Sequence, residues 1–228
     1  MGPFDPVCNE YYFDDPMPVV LFVVQGCLFK VHRYFLERDS IFLRGVLSTL
    51  HAQEVQSHPI EIHGVSSVEF KALLDFFYTG MYRNTVHISE WINLLAAASV
   101  LKFDRVREHA IAAIEKASER PDDVEMIVLA EKYGITRWLR PAYISLCKRT
   151  ESLKLKEAER IGMEKVIKLT QAREEFIRES VGVNGIHAAS PSSSRYPWAS
   201  NGIQSPTLSP TPAINEAGNI IDSIFFSE

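Results

Sequence analysis

A chain of 228 residues, 46% hydrophobic and 23% charged, can bury a substantial core, which excludes disorder along its whole length and favours one domain with appendages. Its formal charge of -5 and pI near 5.8 supply no basic field for phosphate backbones or anionic lipid, which argues against nucleic acid and membrane surfaces as partners. Cys8, Cys27 and Cys147 are widely spaced and form no Cys-x-x-Cys pair, so neither a disulfide framework nor a zinc cage is implied, and a reducing, intracellular setting fits.

Residues 1–18 mix prolines with acids and aromatics and read as an irregular acidic leader. With Asp5, Glu10, Asp14 and Asp15 and no base before Lys30, they are unlike a secretory signal. No apolar run approaches the roughly 20 residues of a membrane span. Val19 to Val24 is wholly apolar, Gln25-Gly26 marks a turn, and Leu28 to Val31 completes a hairpin. Because the first strand does not alternate, it is expected to be covered on both faces, by helices or by a second subunit. A helix opens at His32, and Ser40 is an N-cap candidate for another at Ile41-Phe42-Leu43.

Ile60-Glu61-Ile62 predicts a short third strand. After it, Ser66 and Glu69 have the spacing of a capping box, bracketed by Val65 and Phe70 as a hydrophobic staple. Phe70, Leu73, Leu74 and Phe77 form one apolar face, and Gly80 stands where a left-handed terminator is wanted, which predicts a helix over 66–79. The run Leu94 to Phe103 is rich in alanine, and Val106, Ala110 and Ile114 recur at four-residue spacing after it.

Pro121-Asp122-Asp123 starts a helix with Val124, Ile127, Val128 and Ala130 inward, closing at Tyr133-Gly134. Proline is costly inside a helix and harmless at its first position, so Pro141 predicts a helix start. Trp138-Leu139 then falls in the preceding turn, with Ala142, Tyr143 and Leu146 inward up to about Thr150. Over 151–180, acids balance bases, with Glu164/Lys168 and Glu174/Arg178 at i, i+4 spacing. Leu153, Leu155, Ala158, Ile161, Val166, Ile167 and Leu169 there suggest packed helices. From Val181 the composition turns to Gly, Ser, Pro and Asn, and 181–228 reads as a disordered Ser/Pro-rich tail. Its apolar knot of Ile220, Ile221, Ile224, Phe225 and Phe226 reads as a sticky end or a short helix folded back on the domain, with a partner-binding peptide as the alternative.

The residues that carry chemistry do not converge on a catalytic pattern. The seven histidines make no His-x3-His or His-Glu-x-x-His run, and no phosphate-binding or nucleophile-elbow glycine motif occurs. No metal, cofactor or catalytic residue is therefore expected. Cys147, on an apolar helical side, reads as a core residue. Ser190, Ser205, Ser209 and Thr211 each precede proline and are candidate sites of proline-directed phosphorylation, which would add charge to the tail.

Three segments in order carry a family resemblance. They are the strand leading into His32, Leu36, Ser40 and Leu43, with Phe42 one position before the usual aromatic; the helix from Val68 ending Tyr78-Thr79-Gly80; and the alanine-rich Leu94 to Phe103. Over residues 19–117 the chain resembles the BTB/POZ family. The resemblance implies an α+β fold, a short three-stranded sheet flanked by helices, that binds proteins and is not an enzyme. It gives His32 a structural role and implies homodimerisation through Val19, Leu21, Val23, Arg33, Tyr34 and Glu37. Val19 stands where many members carry Asp, so their charged inter-subunit pocket is not expected, and Arg33 should instead find Glu37, a carbonyl or water. The Trp138 to Tyr143 segment and the charged helices after it, within 118–180, resemble the extension of fungal BTB proteins. A rival reading is a substrate adaptor of a cullin-3 ubiquitin ligase, whose contact motif has its nearest match at Ala52-Gln53-Glu54. An enzyme of unrecognised type is the remaining alternative.

Overall fold

The computed structural model describes residues 19–49, 59–80, 86–185 and 212–226. The leader, the segment holding Ala52 and Glu54, and the candidate phosphosites Ser190, Ser205, Ser209 and Thr211 lie outside the described residues. The chain divides into two compact units, Met1–Arg120 and Pro121–Glu228.

In the first unit β1 (Val19–Val24) is the central strand, flanked by β2 (Cys27–His32) and β3 (Ile60–Ile62). β2 runs antiparallel, pairing Val24 with Cys27 and Val19 with His32, while β3 runs parallel, with Phe22 opposite Ile60. The two-residue hairpin turn puts Gln25 at φ 49° and Gly26 at φ 77°, both left-handed as a type I′ turn requires. The Gln25 side-chain oxygen then accepts the Ser67 N–H at 3.1 Å. This ties the turn to the first residue of a distant helix.

Around the sheet lie α1 (Arg33–Asp39), α2 (Ile41–Ser48), α3 (Ser67–Thr79), α4 (Ile88–Val100) and α5 (Asp104–Lys116). α3 forms as its sequence dictates. The Ser66 hydroxyl accepts the Glu69 N–H at 3.2 Å, the Glu69 carboxylate accepts the Ser66 N–H at 2.7 Å, and Gly80 ends the helix at φ 61°. Buried Phe70 places its ring edge-to-face with Phe22 and Phe29, at centroid distances of 5.9 and 5.0 Å, and so anchors α3 to the sheet. α4 packs between α3 and α5, and the burial of Ala96, Ala97 and Ala98 shows why small side chains are needed for that close approach.

β1 is covered more completely on one face than on the other. Val20, Phe22 and Val24 are buried, while Val19, Leu21 and Val23 alternate with them at intermediate exposure. An unbroken apolar run encodes exclusion from water but does not say which neighbour excludes it.

The second unit contains α6 (Asp123–Tyr133), α7 (Thr136–Lys148), α8 (Leu155–Ile161), α9 (Met163–Gly185) and α10 (Pro212–Phe225). Asp122 caps α6 by accepting the Glu125 N–H at 2.7 Å, and Gly134 closes it at φ 67°. Leu129 is buried in place of Val128, which is half-buried.

Pro141 departs from its sequence reading. It lies inside α7, which begins at Thr136 and buries Trp138 in its first turns. A mid-helix proline costs about 3 kcal/mol. Burying an aromatic or large aliphatic side chain returns about 1.5–3 kcal/mol each, and α7 buries Trp138, Tyr143 and Leu146. Packing therefore outweighs local propensity. The charged segment does form helices, with Ile161 and Leu169 buried and Glu164 paired to Lys168 at 3.1 Å. Leu155 and Ile167, expected inward, are exposed. Sequence spacing gave them a helical face, but α8 and α9 turn that face to solvent at these two positions.

Ion pairs hold the second unit's short elements. Arg149 makes two contacts to Glu157, at 3.0 and 2.8 Å, and Lys165 reaches Glu131 at 2.7 Å. Glu157 also accepts the Lys154 N–H at 2.7 Å. Within the tail read as disordered, residues 212–225 form a helix, which is the folded-back reading of its apolar knot.

Candidate interaction surface

In the His32-Leu36-Ser40-Leu43 pattern the last three residues are buried scaffolding, and His32 is an exposed junction residue. Leu36 and Leu43 are buried, and Ser40 is fully buried between α1 and α2. The Ser40 hydroxyl accepts the Leu43 N–H at 3.0 Å, capping α2, and donates to the Leu101 carbonyl at 2.7 Å. At the strand-to-helix junction the Tyr78 hydroxyl accepts the His32 N–H at 2.8 Å and shares a second bond of 2.8 Å with His32 Nδ1. His32 thereby fixes where α1 leaves the sheet.

α1 then presents the residues named for association. Arg33 bonds Glu37 at 2.7 Å, one helical turn on, and donates to the Leu47 carbonyl at 3.2 Å. Its charge is thus satisfied inside the protomer and fastens α1 to α2. Tyr34 is 39% exposed and carries the Arg38 guanidinium 5.4 Å from its ring centre, a cation–π contact. Arg38 is itself held by Asp39, which pushes its pKa up. Val19, Leu21 and Val23 lie on the half-covered face of β1. β2 pairs β1 along its whole length, while β3 pairs only its Phe22–Val24 half.

Two further exposed apolar residues were missed by sequence reasoning. Ile41 and Phe42, at the start of α2, are 78% and 50% exposed. In the sequence they extend an apolar triplet with Leu43, and only the helix phase fixed by the buried cap at Ser40 separates Leu43, turned inward, from its two neighbours. Among the described residues no group of three His, Cys, Asp or Glu side chains is placed to hold a metal ion, and no helix is long and apolar enough to cross a membrane.

An open cleft of about 510 Å³ in the first unit is lined by Val86, His87, Trp91, Lys116 and Glu119, among others. His87 serves α4 as its cap, accepting the Ser89 N–H at 3.4 Å. Cys147 is buried, and burial pushes its thiol pKa up, the opposite of what a nucleophile needs.

A family model for the BTB/POZ domain matches residues 14–118. With the β2-β1-β3 sheet and flanking helices, the match shows that this part of the chain is a BTB/POZ domain, a protein–protein interaction module. No curated protein gives a significant match to the chain.

Proposed function

We propose that the chain is a self-associating adaptor. It pairs with a second copy through α1, the start of α2 and the half-covered face of β1, and as a dimer it recruits another protein inside the cell. The observation that carries this reading is the exposure of Tyr34, Ile41 and Phe42 on consecutive helices of an interaction module whose nearby charge, Arg33, is already neutralised by Glu37. A surface of this kind gains by burying apolar area without stranding a charge. The helices from Asp123 onward are taken as an extension of the sort found in fungal BTB proteins.

Light scattering on the eluting full chain over a dilution series tests the proposal. The expected result is a dimer that becomes a monomer in the Ile41→Glu/Phe42→Glu variant with its helical content unchanged. A wild-type monomer at every concentration would refute self-association. Cullin-3 adaptor activity is the competing reading, and a direct binding assay in which Glu54→Lys abolishes capture would establish it.

A further inference from the structure

The second unit's C-terminal helix is attached in an unusual way. α6 to α9 contribute Val124, Ile127, Leu146, Cys147, Ile161 and Leu169 to one core, which Ile220 and Ile221 of α10 join. α10 is added to that core from beyond the Ser/Pro-rich stretch 186–211 and lies against α7 and α9. Its contact face is compact. Ala217, Ile220 and Ile221 are buried, Phe225 stacks on Tyr143 at a centroid distance of 4.1 Å, and Asp222 takes a two-pronged bond from Arg140 at 2.7 and 2.9 Å. At Gly218 a Cβ would lie 2.9 Å from the movable end of the Arg140 side chain and at an ordinary 3.8 Å from Ile144.

An apolar stripe at helical spacing, a small residue at the closest approach and one charge that fixes register are the features of a helix bound in a groove. We propose that the α7/α9 surface is a helix-recognition groove, occupied in cis by residues 216–226 acting as a tethered ligand. Any external partner of this site is then a short amphipathic helix with the same order: small residue, glycine, paired isoleucines, acid and aromatic. A covalent tether of modest length typically presents its ligand at an effective concentration in the mM range. If the untethered tail binds the groove at about 10 μM, any competitor would therefore appear roughly a hundredfold weaker against the intact chain.

The test uses the full chain with a protease site placed within 186–211, nicked after folding. A fluorescent peptide of residues 212–228 is added, and its anisotropy is followed. The expected result is exchange of the nicked tail for the labelled peptide with micromolar affinity, at least tenfold weaker uptake by the uncut chain, and an unchanged helical melting curve after exchange. A peptide carrying Asp222→Arg should bind poorly to the nicked chain and recover on the Arg140→Asp chain. Absence of exchange, or collapse of the α6–α9 fold when the tail leaves, would make α10 a permanent core element and overturn the proposal. Equal uptake before and after nicking would remove the cis ligand. Occupancy that falls on dilution of the uncut chain would place the tail of a second copy in the groove and refute the cis assignment.

Discussion

Ser40 shows how much one buried hydroxyl can organise. It has no exposed surface and serves two partners, the Leu43 N–H and the Leu101 carbonyl. Ser40→Ala removes a helix cap and strands a carbonyl away from water, so the expected loss is about 2–3 kcal/mol, read from urea unfolding of the full chain. Glu157 gives a second residue-scale outcome. Arg149, and then the Lys154 N–H, hold its pKa down at about 2. Because the folded value lies below the unfolded one, this carboxylate's stabilisation is complete above about pH 4.5 and is lost as pH falls toward 2. Melting temperatures between pH 6 and pH 2 should therefore converge for wild type and Glu157→Gln at the acid end, with wild type the more stable near neutrality.

At the scale of elements, the test of local against global preference is α7. Replacing Pro141 by alanine restores a backbone N–H and removes the ring's clash with the carbonyl four residues back, at a site where α7 is already helical. Pro141→Ala should stabilise the second unit by about 1 kcal/mol or more, measured as a rise in its thermal midpoint. The same element shows what a sequence can tell. α3 was legible because its cap, staple and terminator are all local, and the Arg33–Glu37 pair was legible because i, i+4 spacing places both ends. Pro141 was misread because local rules say nothing of the tertiary burial of Trp138. Exposure of Ile41 and Phe42 was illegible because an apolar triplet does not announce its own phase, and β1's half-covered face because hydrophobicity does not identify the neighbour.

For the whole molecule, a formal charge of -5 argued against nucleic acid and left protein partners as the open question. The BTB/POZ fold over residues 14–118 answers it at the level of class. Self-association carries a further signature, since any partner that binds only the folded state raises the melting temperature by mass action. The wild-type midpoint should climb with protein concentration, and that of the Ile41→Glu/Phe42→Glu chain should stay flat. The tail, by contrast, was legible as composition and only half legible as structure. Its isoleucines and phenylalanines signalled burial, but Tyr143, which stacks on Phe225, and Arg140, which pairs with Asp222, lie far away in sequence.

The hairpin turn carries a last consequence. Gln25 adopts a left-handed backbone conformation that asparagine or glycine fills with less strain, yet its amide spans a separation of 42 positions to reach Ser67. A shorter side chain would suit the turn and fall short of the helix. The sheet's outer corner is thus referenced to α3 and not to its own loop, and a designer who optimised the loop by turn statistics alone would improve a local score while unfastening the corner from the rest of the domain.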